Sequence, residues 1–121
     1  MRFLLDTNIA IDLLAGRIPT LPDGAYGLSI ISEIELLSLQ SLRAEEEQAI
    51  HELLTVLHRI QLNEPIRDQT ILLRRQHGLK LPDAVIAATA MVWQATLITN
   101  DTKLRRVSNL RSIPMSATFI Q

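Results

Sequence analysis

The sequence predicts an α/β domain: a central parallel sheet flanked by helices. Three observations carry that expectation. Several apolar runs are too short for helices and stop abruptly at polar residues, as buried strands do. Longer stretches with helical apolar spacing separate them. Strand-like and helix-like segments therefore alternate, the pattern of a parallel sheet with crossover helices.

The first element is the opening RFLLDTN of Arg2–Asn8. Phe3, Leu4 and Leu5 read as a central strand, and Asp6 falls at its carboxyl end, the ligand-binding edge of open α/β sheets. Thr7 or Asn8 is placed to cap the next helix. Ile9, Ala10, Leu13 and Leu14 define that helix, ending near Gly16. Arg17 to Gly27, with two prolines and two glycines, reads as a loop. Leu28 to Ile31 reads as a second strand. A second helix starts at about Ser32, with Ile34, Leu36 and Leu37 toward the core. A third spans Ala44 to Ile60, with Glu45, Glu46 and Glu47 as a solvated first turn that suits the helix dipole.

Ile60 to Leu62 reads as a short strand, and Asn63, Glu64 and Pro65 as a helix start. That helix carries Ile66, Thr70, Leu72 and Leu73 and stops at Gly78. Leu81, Pro82 and Asp83 open a helix rich in alanine, which allows close approach to the sheet. Ala95 to Thr99 is another strand-like run, ending at Asn100 and Asp101. Lys103 to Val107 forms one or two helical turns, and Ala117 to Ile120 reads as a final strand.

The chain of 121 residues fits one domain, spanning 1–121. Apolar content of 47% argues against disorder. The absence of cysteine excludes disulfides and thiolate metal sites. No run approaches the ~18 uninterrupted apolar residues of a membrane span. Asp6 breaks the apolar start too early for a signal peptide, so a cytoplasmic protein with no membrane association is expected. The net charge of −1 conceals an asymmetry: residues 1–64 carry 4 basic and 10 acidic groups, residues 65–121 carry 8 and 3. The later half is the one suited to face phosphates.

Four acids then stand out. Asp6 and Asp101 each follow a strand-like run, Asp83 opens a helix, and Glu35 lies on the helix after the second strand. Taken singly, each has an ordinary reading: Asp83 as an N-cap, Asp101 as a turn or cap, Glu35 as a solvated helix residue. Asp6 is the hardest to treat so, because it follows a buried run directly. Taken together they are hard oxygen donors suited to Mg²⁺ or Mn²⁺, ions that serve phosphodiester hydrolysis by activating water. His51, His58 and His77 are scattered over helices and make no site. Tyr26 and Trp93 are too few and too far apart for a base-stacking platform. Gly24 and Gly27 flank no phosphate motif.

Four segments in order, LLDTN, SIISEIEL, LPDAVIAATA and LITND, resemble the PIN domains, and in particular the VapC-like toxin ribonucleases of type II toxin–antitoxin modules. The resemblance spans nearly the whole chain. It implies a PIN-like fold and a metal-dependent endoribonuclease. It implies a quartet of Asp6, Glu35, Asp83 and Asp101 that is both catalytic and metal-ligating, with Mg²⁺ or Mn²⁺. Glu35 is favoured over Glu33 because Leu36 follows it. Thr7 and Asn8 are implied as supporting residues that orient ligands or water. The resemblance also implies an RNA substrate, a cognate antitoxin partner and a homodimer. Lys103, Arg105 and Arg106 are the best candidates for holding the RNA backbone. The rival reading is a catalytically inactive PIN-like module that binds RNA or protein; it would be favoured by a missing acid, and none is missing.

Overall fold

A computed structural model describes residues 1–18 and 20–116. Within them, five strands form one sheet: β1 (Arg2–Leu5), β2 (Ala25–Ser29), β3 (His58–Ile60), β4 (Thr96–Ile98) and β5 (Ser112–Ile113). All pairings are parallel and the order is β3-β2-β1-β4-β5. The helices are α1 (Thr7–Leu14), α2 (Ile30–Leu37), α3 (Ala44–Val56), α4 (Glu64–His77), α5 (Leu81–Trp93) and α6 (Thr102–Arg105). No described helix is long and apolar enough to cross a membrane.

β1 is the central strand and is covered on both faces, which explains its uninterrupted apolar run. Phe3 and Leu5 point to one side, into a core with Ile9 of α1, Leu36 of α2, and Ile50 and Leu54 of α3. Leu4 points to the other, into a core with Ile66 and Leu73 of α4 and the alanine-rich face of α5. Every residue from Ala84 to Ala90 is buried. A helix enclosed on this scale is apolar nearly all round, and its alanines keep it thin enough to fit between α4 and the sheet.

Local signals set most boundaries. Ser29 caps α2 by accepting from the Ile31 amide, and Asn63 caps α4 by accepting from the Ile66 amide. Gly78 ends α4 in the left-handed region at φ 63°. Other boundaries differ from the sequence expectation. α3 ends at Val56 rather than Ile60, and His58–Ile60 instead pairs with Gly27–Ser29 of β2. The strand expected at Ile60 to Leu62 is thus displaced by two residues. β2 begins at Ala25, inside the expected loop, because Arg2 to Leu4 of β1 offer partners to Ala25, Tyr26 and Gly27. Ile34, expected in the core, is 53% exposed, and Leu72, read as one of the positions that define α4, is 45% exposed. The strand expected at Ala117 to Ile120 lies outside the described residues.

Gly27 has a packing reason to lack a side chain. A Cβ there would stand 2.5 Å from Trp93 Cζ3 and 2.7 Å from Ile60 Cδ1. The indole has little room to retreat: the Arg2 guanidinium lies 5.3 Å from its ring centre and the His58 ring 5.6 Å away. Gly27→Ala is therefore expected to cost about 1–2 kcal/mol by overpacking, lowering the melting temperature by several degrees. Thermal denaturation followed by the fluorescence of Trp93, the sole tryptophan, measures this; an unchanged midpoint would mean the indole yields freely.

Candidate metal centre

The strand order creates a crevice. From β1 the chain builds outward through β2 to β3 on one side, then returns to build β4 and β5 on the other. The reversal lies between β1 and β4, and open α/β sheets bind ligands outside the carboxyl ends of strands at such a point. Leu5 pairs with Ile98, so the residues that follow, Asp6 and Thr99, emerge side by side.

Asp6 is 8% exposed. Its Oδ1 accepts the Thr7 amide at 2.8 Å and its Oδ2 accepts the Thr99 hydroxyl at 2.6 Å. Asp6 itself is therefore the N-cap of α1, not Thr7 or Asn8 as the sequence suggested: the cap falls on the last extended residue. Thr7 Oγ1 lies 2.7 Å from Glu35 Oε1 and 2.8 Å from Ser32 Oγ. A hydroxyl carries one proton, so with Glu35 as acceptor the Ser32 hydroxyl donates to Thr7. Asn8 is exposed on the same first turn.

Glu33 and Glu35 are separated by roughly 200° around α2, and the fold sends them to different partners. Glu33 is nearly buried and paired with Arg59 of β3, whose Nε donates to it at 3.2 Å. Glu35 turns to Thr7 and the crevice. Asp83 is not the N-cap of α5: that place is taken by Lys80, which makes no side-chain capping bond, and Asp83 sits in the first turn. The ordinary explanation for Asp83 thus fails here. Asp101 does cap α6, accepting the Lys103 amide at 2.8 Å, while its own amide donates to Thr99 Oγ1 at 3.0 Å.

The acids sense one another. Burial pushes the Asp6 carboxyl above its ordinary 3.8; the hydrogen bonds from Thr99 and Thr7 oppose this, and the charges of Asp101 and Glu35 add to it. Asp83 is also raised, first by burial, then by Asp101, Asp6 and Glu35, with Lys80 pulling the other way. None of the four forms an ion pair with a described residue. The sequence-predicted quartet is thus brought into one electrostatic field. It is not drawn into a finished ligand shell: among the described residues no three acids or histidines stand grouped to hold an ion. The oxygens of Asp6, Glu35 and Asp101 are instead engaged by Thr99, Thr7 and backbone amides. An all-oxygen acidic set with no ion pair to a described residue fits a hard divalent cation.

Lys103, Arg105 and Arg106 are exposed on and just after α6, directly following Asp101. Sequence reasoning missed Ser32 and Thr99. Both lie within segments that carried the resemblance, but a small hydroxyl residue at a strand or helix end has no distinctive local signal.

The fold and site thus define an open parallel α/β sheet with Asp6 and Asp101 joined through Thr99 at its reversal point. The PIN domain family model matches residues 3–110, and the chain belongs to that family. Among the solved structures it resembles are toxin–antitoxin complexes. A toxin–antitoxin complex from Klebsiella pneumoniae contains a chain 28% identical, with a TM-score of 0.77 over 93% of this chain and 96% of that one. VapBC-1 from nontypeable Haemophilus influenzae is 26% identical at TM-score 0.76, over 96% and 99%. DNA-bound VapBC from Salmonella typhimurium is 20% identical at TM-score 0.79, over 95% and 98%, a likeness of fold. No curated protein matches the chain significantly in sequence.

Proposed function

We propose that this chain is a metal-dependent endoribonuclease and the toxin of a toxin–antitoxin pair, acting in the cytoplasm. The observation that carries the reading is the joining of Asp6 and Asp101 through Thr99 at the β1/β4 crevice, with Glu35 brought alongside through Thr7; Asp101 and Glu35 help to raise the Asp6 carboxyl, and Asp101, Asp6 and Glu35 help to raise that of Asp83. The family and the likeness to the Klebsiella and Haemophilus complexes support a nuclease with an antitoxin partner; the homodimer is proposed from the sequence resemblance.

Asp6, Glu35, Asp83 and Asp101 would hold Mg²⁺ or Mn²⁺. When bound, such an ion supplies activation of water and neutralises charge on a scissile phosphate. The chain's own contribution is to fix the donors. Thr7, backed by Ser32, orients Glu35; the backbone of the first turn of α1 fixes Asp6; Asn8 stands by to orient water or substrate. Lys103, Arg105 and Arg106 hold the RNA backbone, so their removal weakens binding without regard to sequence.

Cleavage of labelled RNA with and without Mn²⁺ tests the activity: no cleavage in millimolar Mn²⁺ or Mg²⁺ would overturn it. The nucleophile has its own test. Water, not the RNA 2′-OH, attacks in this reading, so a single 2′-deoxy substitution at the scissile position leaves most cleavage intact. Complete loss, with cyclic-phosphate ends on the ordinary product, would establish internal 2′-OH attack instead.

A further inference from the structure

Thr99 stands immediately after β4 and is fully buried. Its hydroxyl makes two bonds that join the first and last acids of the chain. It donates to Asp6 Oδ2 at 2.6 Å and accepts the Asp101 amide at 3.0 Å. Two other buried threonines behave differently. Thr70 and Thr89 spend their protons within their own helices, on the carbonyls of Ile66 and Val85, both at 2.7 Å. Thr99 spends its proton across the sheet on a carboxylate, the shorter and stronger type of hydrogen bond.

We propose that Thr99 is a positioning residue for the metal centre: its hydroxyl sets the orientation of the Asp6 carboxylate and docks the backbone of Asp101 against it. This rests on the metal-dependent reading above. With the Thr7 amide on Oδ1 and Thr99 on Oδ2, Asp6 is held at both oxygens, so its remaining lone pairs keep a fixed aim. Loss of a group that orients a metal ligand in this way typically costs about 10–100-fold in metal affinity. The same hydroxyl ties the turn carrying Asp101 to the end of β4, so one side chain sets the relation between two acids 95 residues apart in sequence. Valine keeps the branched shape and loses both bonds; serine keeps the hydroxyl.

The test is a Mn²⁺ titration by calorimetry of wild type, Thr99→Val and Thr99→Ser, with metal-free melting curves of each. Thr99→Val is expected to weaken Mn²⁺ binding about 10–100-fold, and Thr99→Ser to restore most of the affinity. In RNA cleavage, Thr99→Val should raise the Mn²⁺ concentration needed for half-maximal rate more than it lowers the saturated rate. Equal Mn²⁺ affinity in wild type and Thr99→Val, with only a lower melting temperature, would overturn the proposal and leave the metal reading standing. Wild type that binds no Mn²⁺ would overturn the metal reading and this proposal with it. Should Thr99→Val fail to fold, the wild type decides by NMR: a slowly exchanging Thr99 hydroxyl proton is expected, and a freely exchanging one would overturn the proposal.

Discussion

Asp6→Asn is expected to lower RNA cleavage about 10³-fold while leaving the fold intact. A cation acting on a phosphoryl group supplies several kcal/mol of transition-state stabilisation, and losing about 4 kcal/mol of it corresponds to that factor. The fold should survive because Asn ranks beside Asp as an N-cap and can still accept the Thr7 amide that Asp6 accepts now. What Asn lacks is the charge. The same substitution should remove toxicity: expression of the wild type alone slows bacterial growth, and Asp6→Asn does not. Cleavage rates and growth curves at matched protein levels provide the measurement. Growth arrest that persists in Asp6→Asn would show that nuclease activity is not its cause.

The second large effect is on stability, and Asp83→Asn isolates it best, because Asp83 caps nothing. An ion that binds only the folded state stabilises it by RT ln(1 + [L]/Kd), or roughly 1.4–2.7 kcal/mol at ~10–100 times Kd. Mn²⁺ should therefore raise the wild-type melting temperature by several degrees, and Asp83→Asn should cut that rise sharply. Without metal the order reverses. Asp6 and Asp83 are both raised above the ordinary 3.8, so over the interval above that value the folded state binds more protons than the unfolded. Stability from this source is complete below 3.8 and is lost as pH rises through the folded values. Asp83→Asn escapes its share of the loss, so metal-free Asp83→Asn should gain on metal-free wild type as pH rises from about 4. The Mn²⁺ gain of the wild type should grow over the same interval, since the ion competes with protons for the carboxylates. Melting curves across pH, with chelator or with Mn²⁺, read both effects; a wild-type curve indifferent to millimolar Mn²⁺ and Mg²⁺ would remove the case for the site.

The sequence by itself determined the class of fold, and its four family-like segments singled out Asp6, Glu35, Asp83 and Asp101 as candidates. Phe3–Leu5 and Thr96–Ile98 are buried and strand-forming whatever their partners, and the alanines of α5 announce a helix that must fit a narrow space. The 3.6-residue period puts Glu33 and Glu35 on different faces of α2, and the family resemblance, with Leu36 next in sequence, favours Glu35. The tertiary structure decided what no local period encodes. Strand order is a property of the whole packing, and only it brings β4 next to β1 so that Asp6 and Asp101 meet across Thr99. Pairing likewise turned His58–Ile60 from a helix end into an edge strand, because Gly27–Ser29 presents free backbone groups there. It also removed the capping explanation for Asp83, since the helix starts three residues earlier than a capping aspartate would require. Side-chain periodicity tells a segment what to become; which segments become neighbours follows from the burial of every segment at once.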